Sequence, residues 1–212
     1  MHGHATVRRL FLGALRLAVR RMLRLEVHGR QHVPLEGGVI VASNHSTRVM
    51  DPLILATVSP RELTIIAHAD FRRRPFVYMV TRLQGAIFVA ASPWVGVEFV
   101  AACEGVLARG DALGIFPEGR EMGGGNGDFR HGAAYLGLRN RCRLVPAWVE
   151  RRGFRRFRVV YGAPLEPERV PINRRTLEQL TSRLQGAINA LGPTGGALSS
   201  ASTPPSARSP GP

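Results

Sequence analysis

The stretch VIVASNHSTRVMDPLIL, residues 39–55, sets the frame for the whole chain. Val39 to Ala42 are a continuous run of small and β-branched apolar residues, the pattern of a strand buried on both faces. The run stops at Asn44-His45. Asp51-Pro52 then starts a helix through about Val58, because proline suits a first helical turn and aspartate caps one. A buried strand leading through a polar loop into a helix is half of a parallel β-α-β unit. The loop holds an imidazole and a carboxylate, His45 and Asp51. Such a pair is either an ordinary turn with a helix cap or a base beside the group that aims it.

The pattern repeats on both sides. Residues 25–42 read as strand, turn and strand, with Pro34 and Gly37-Gly38 at the turn. LTIIAHA (63–69) and GAIFVA (85–90) are strand candidates, with a helical RPFVYMVTRL (74–83) between them. WVGVEFVAACEGVLARG (94–110) is an amphipathic helix closed by Gly110. ALGIFPEG (112–119) is a strand running into a sharp loop, GAAYLGLRN (132–140) a helix, and RLVPAWVE (143–150) and FRVVYGAPL (157–165) are strands. Residues 174–191 form a last helix. Strands alternating with helices predict an α/β fold with a largely parallel central sheet flanked by helices. Residues 193–212 hold Gly, Pro, Ser, Thr and Ala without apolar periodicity and read as a disordered tail. The expected organisation is a basic amphipathic helix over 1–28, one domain over 29–192, and that tail.

The N-terminal segment ATVRRLFLGALRLAVRRMLRL (5–25) has helical periodicity. Val7, Phe11, Leu15, Ala18, Met22 and Leu25 share one face, with Arg9, Arg16, Arg20 and Arg24 opposite. Such a helix either lies in a membrane interface or docks on the core with a solvated cationic face. No uncharged apolar stretch reaches the roughly 18–20 residues needed to span a bilayer, and no cleavable leader is expected. The formal net charge is +14 and every cation behind it is arginine, since the chain has no lysine. That excess calls for an anionic partner. Cys103 and Cys142 lie far apart without metal-ligand spacing.

In open α/β sheets, ligands bind beyond the carboxyl ends of the strands. Two loops meet that condition: the one with His45 and Asp51, and GIFPEGRE (114–121), where Glu118 and Arg120 leave a buried strand on a Pro-Gly turn. GGGNG (123–127) lacks the lysine of a phosphate loop and reads as a flexible active-site loop. No GxSxG nucleophile elbow is present. FRRRP (71–75) and ERRGFRRFR (150–158) are basic runs with interleaved Phe, suited to nucleic acid, to anionic lipid, or to a solvated surface.

Four blocks in order, NHSTRVMDP (44–52), GAIFVA (85–90), IFPEGR (115–120) and RLVPAWV (143–149), resemble the glycerolipid acyltransferase family of lysophosphatidic acid and glycerol-phosphate acyltransferases. The likeness covers roughly residues 30–170. It implies a membrane-associated enzyme that moves a fatty acyl group from acyl-CoA or acyl-carrier protein to a lysophospholipid hydroxyl. His45 would be the general base and Asp51 would hold its ring. Glu118 and Gly119 would bind the acceptor, with Arg120 on its phosphate and Arg130 in donor or phosphate binding, and Pro146 would shape the pocket edge. Met50, Leu53 and Val89 would wall an acyl tunnel. No metal or bound cofactor is implied, and no nucleic-acid partner; the expected location is the cytoplasmic face of the cell membrane, reached through the N-terminal helix. The chain departs from the commonest pattern in three places. Five residues rather than four separate His45 from Asp51, Ala90, Ala91 and Ser92 stand where many members carry a phosphate-binding arginine, and Arg120 follows Gly119 directly. Either Arg48, Arg82, Arg120 or Arg130 replaces the missing arginine, or the acceptor is one without a phosphate. A non-catalytic basic module for nucleic acid or membrane is the reading from a different class.

Overall fold

The computed structural model describes residues 2–46, 50–68, 78–79, 81–82, 85–89, 96–118 and 129–193. Helix α1 (His2–Met22) leads into strand β1 (Arg24–His28) and a short 3-10 turn at Arg30–His32. Then come β2 (Val39–Ser43), α2 (Met50–Val58), β3 (Leu63–His68), β4 (Ile87–Val89), α3 (Val97–Ala108) and β5 (Ala112–Ile115). The chain ends with α4 (Gly132–Asn140), β6 (Arg143–Gly153), β7 (Arg156–Tyr161) and α5 (Arg174–Ala190). The sheet order is β1-β7-β6-β2-β5-β3-β4. The five strands from β6 to β4 are mutually parallel; β7 returns antiparallel to β6, and β1 runs alongside β7. This is the expected α/β architecture with a largely parallel sheet.

β2 lies at the centre, buried along its whole length. Val39 and Val41 point to one face, where Ile54 and Leu55 of α2 pack with Val145, Val149 and Val159. Ile40 and Ala42 point to the other, against Cys103, Val106 and Leu136 and against Leu180, Leu184 and Ile188. Helices on both faces make the apolar run necessary, since neither side of β2 meets water. Two devices fix the connections. Gly29 leaves β1 at φ 70, and a Cβ there would sit 2.0 Å from the Tyr161 carbonyl oxygen. Helix α5 opens with a reciprocal cap: the Asn173 side chain accepts the Thr176 N–H at 3.0 Å while the Thr176 hydroxyl accepts the Asn173 N–H at 3.0 Å.

Helix α1 ends at Met22, earlier than the periodicity suggested, because the Arg24 N–H leaves the helix for the Arg155 carbonyl at 2.7 Å. Among the described side chains of α1, Leu12 and Val19 are buried and Leu15 is half-buried, as is Leu23 just past its end. Phe11, Ala18 and Met22 of the expected docking face are exposed. The docked stripe is therefore rotated by one residue from the expected one, and the Arg20 guanidinium on its border donates to the Thr57 carbonyl of α2 at 3.1 Å. The expected helix at 74–83 and the tail lie largely outside the described residues. Among the described residues, no helix is long and apolar enough to cross a membrane.

Candidate active site

The parallel strands β6, β2 and β5 are neighbours, so their carboxyl ends meet at one edge of the sheet. β2 delivers Asn44 and His45 to that edge, β5 delivers Phe116 to Glu118, and β6 runs past both. The last rung between β2 and β6 pairs Ser43 with Ala147. Asn44 then supplies the next rung with its side chain. Its amide nitrogen donates to the Val149 carbonyl at 3.0 Å, and its oxygen accepts the Val149 N–H at 2.7 Å. Asn44 is buried, and both these bonds go to β6 backbone. The chain can thus leave the sheet immediately before His45 without orphaning backbone polar groups.

His45 is held from three directions. Its Nδ1 lies 3.0 Å from Asp51 Oδ2. A carboxylate can only accept, so Nδ1 carries the hydrogen and Nε2 is left as the basic nitrogen. The ring stacks on Phe116 at a centroid distance of 4.7 Å and an interplanar angle of 29°. The His45 backbone N–H donates to Glu118 Oε1 at 3.2 Å. The imidazole side chain keeps 11% of its surface exposed, while Asp51 is wholly buried.

Asp51 sits in the first turn of α2, where the helix dipole favours a negative charge. Its Oδ2 also accepts the Ser46 N–H at 2.7 Å, and its Oδ1 accepts the Ser46 hydroxyl at 3.2 Å. The five intervening residues do not part the pair.

Glu118 is buried, and its Oε2 has no hydrogen-bond partner among the described residues. Burial pushes its carboxyl above the usual glutamate value, against the lowering effect of the His45 N–H and ring. The Arg130 N–H donates to the Pro117 carbonyl at 2.9 Å, closing the base of the Glu118 loop, and the Arg130 side chain is exposed. Gly119, Arg120 and Arg48 lie outside the described residues. Arg82, another candidate for the missing phosphate ligand, donates to the Tyr78 hydroxyl at 3.1 Å. Met50 packs against the core on the α2 side. Among the described residues there is no group of three or more His, Cys, Asp or Glu able to hold a metal ion.

The sequence paired His45 with Asp51 and placed Glu118 at the same edge. Asn44 and Phe116, which orient the ring, were not singled out, because their partners come from distant strands. The one local signal for Phe116 was its place directly ahead of Pro117-Glu118.

An imidazole backed by a buried carboxylate at a strand-end edge is general-base geometry, and the comparisons give it a family. The family model described as Acyltransferase matches residues 24–150. A 1-acyl-sn-glycerol-3-phosphate acyltransferase from Borreliella burgdorferi is 32% identical over 129 residues, covering 58% of this chain and 50% of the relative. The chain thus spans about half the length of that curated relative. The crystal structure of the 1-acyl-sn-glycerophosphate (LPA) acyltransferase PlsC from Thermotoga maritima superposes with a TM-score of 0.65 at 17% identity, over 91% of this chain and 85% of that one. That likeness shows a shared fold. His45, Asp51 and Glu118 all lie within the matched segment, and the chain belongs to the glycerolipid acyltransferase family.

Proposed function

We propose that the protein is a 1-acylglycerol-3-phosphate O-acyltransferase working at a membrane surface. The observation that carries this reading is the 3.0 Å contact between His45 and the wholly buried Asp51 at the carboxyl edge of the sheet. His45 Nε2 takes the proton from the acceptor hydroxyl as its oxygen attacks the carbonyl carbon of an acyl thioester. Asp51 steadies the imidazolium that forms. The tetrahedral intermediate collapses, the C–S bond breaks, and the departing thiolate takes the proton back from His45. The products are the new ester and a free thiol, and no acyl-enzyme forms. The donor is acyl-CoA or acyl-carrier protein.

Glu118 anchors the His45 backbone and, with Gly119, is assigned to acceptor binding; Arg120 and Arg130 supply guanidinium groups suited to a phosphate. α1 supports a peripheral location at a membrane, which we assign to the cytoplasmic face: Leu10, Leu17 and Met22 are left at 69%, 62% and 58% exposure.

Free thiol released from palmitoyl-CoA in the presence of lysophosphatidic acid tests the reaction. His45→Ala is expected to lower the rate by about 10²- to 10⁴-fold with the circular dichroism spectrum unchanged; undiminished turnover would refute the mechanism. The Ala90-Ala91-Ser92 replacement of the usual arginine favours a second acceptor class, a lyso-lipid without phosphate such as a lyso-ornithine lipid or a glycolipid. Turnover with only those acceptors would select it.

A further inference from the structure

The hairpin between β6 and β7 takes no part in the chemistry above. β2 stops at Ser43, opposite Ala147, while β6 runs on to Gly153 before the chain returns at Arg156. Four residues beyond Val149, at about 3.3 Å each, carry the tip roughly 13 Å past the edge where His45 stands. The tip is Arg151, Arg152, Gly153, Phe154, Arg155 and Arg156, all exposed. Phe154 keeps 83% of its surface in solvent. β1 adds Arg24, which pairs with Arg156 and donates its N–H to the Arg155 carbonyl. Two acids lie at the root of the hairpin, Glu150, which accepts from Arg152 at 2.5 Å and from Arg158 at 3.5 Å, and Glu26 of β1, opposite Arg158; the arginines of the tip outnumber them.

We propose that this tip docks on an anionic lipid bilayer, with Phe154 entering the boundary between headgroups and acyl chains and Arg24, Arg151, Arg155 and Arg156 meeting lipid phosphates. The inference rests on the membrane acyltransferase reading and adds a second contact to that of α1. An exposed aromatic ringed by arginines suits the interface, where an apolar body sinks and charged heads stay at phosphate level. An acidic carrier protein would also match the arginines. It would leave the outward side of α1 facing water, where Leu10, Leu17 and Met22 are exposed. That helix ends beside the hairpin, so one bilayer covers both. Seated this way, the hairpin brings the His45 edge to the surface from which a lyso-lipid would enter.

The test is an environment-sensitive fluorophore on the introduced thiol of Phe154→Cys. Cys103 and Cys142 are buried, with thiols pushed up to about 12 and about 11, so maleimide labelling at neutral pH selects the tip. Vesicles of phosphatidylglycerol with phosphatidylcholine should blue-shift the label, and brominated lipid should quench it; pure phosphatidylcholine should do much less. Removing Arg155 and Arg156 as serines should weaken vesicle affinity by about fivefold per charge, with turnover of a short-chain, water-soluble lysophosphatidic acid unchanged. A silent label on protein that co-sediments with the same vesicles would overturn the proposal and leave membrane binding to α1. A label that responds to acidic carrier protein and not to vesicles would overturn it as well. Absence of short-chain turnover in the unaltered protein would instead count against the acyltransferase reading itself.

Discussion

Glu118 has two oxygens with different fates: one accepts the His45 N–H, the other is buried without a partner among the described residues. Desolvation raises its folded-state pKa, so the folded chain holds this proton at pH values where the unfolded chain has lost it. The native state then binds more protons than the unfolded one, and stability falls as pH rises from the ordinary glutamate range through the raised value. Glu118→Gln removes the ionisation. Melting temperatures between about pH 4 and pH 8 should show the unaltered protein losing ground to the variant as pH rises; parallel curves would refute the assignment. Asn44 makes a second prediction. Asn44→Ala strands both polar groups of Val149 in a buried position, at about 1–3 kcal/mol each, so urea unfolding should show a loss of roughly 2 kcal/mol or more. Turnover should fall too, since the turn into His45 loses its anchor. The contrast explains what could be read beforehand. His45 and Asp51 face each other across one loop, so their relation is local. Asn44 meets Val149 across 105 positions of sequence, a neighbour that only the β2–β6 register creates.

Helix α1 shows why an element can be legible while its orientation is not. Its apolar residues cover more than half the cylinder: Leu12, Leu15, Val19 and Leu23 turn inward, and Leu10, Phe11, Leu17 and Met22 turn outward. Periodicity names a helix but cannot choose between two apolar sides; the choice falls to the fit against α2. The two sides should respond differently. Leu12→Ala should lower stability by about 2 kcal/mol or more through a lost buried side chain. Leu17→Ser should leave the melting temperature unchanged and weaken vesicle binding. The same lesson holds at the opposite edge of the sheet. Arg61, just ahead of β3, donates to the carbonyls of Pro34 at 3.0 Å, of Gly37 at 2.8 Å, and of Gly110. It ties together the turns that precede β2 and β5, and no motif marks it because its partners are backbone atoms. With hydrogen bonds from a charged donor worth about 1.5–3 kcal/mol, Arg61→Met should cost roughly 3 kcal/mol in urea unfolding and leave kcat as it was.

Across the whole molecule, one quantity acts on both stability and association. The formal net charge of +14 comes from 29 arginines against 15 acids. Part of that charge is consumed in ion pairs such as Arg143 with Glu166 and Arg183 with Glu168. Much of the excess gathers at the hairpin tip and the end of α1. Like charges held on a compact body repel, which destabilises the fold, and they attract an anionic surface. Salt screens both effects, with a Debye length of about 10 Å at 0.1 M and about 3 Å at 1 M. The two responses should therefore run in opposite directions. Raising sodium chloride from about 0.05 M to about 0.5 M should raise the melting temperature. Over the same range, co-sedimentation with phosphatidylglycerol vesicles should fall. It should not fall to zero, because the exposed leucines of α1 and Phe154 at the hairpin tip contribute an apolar term that screening does not touch. Leu10→Ser and Leu17→Ser together should lower that remainder at the upper salt, and adding Phe154→Ser should lower it further. Binding that persists at full strength in both salts would mean that the arginine excess plays no part in finding the membrane.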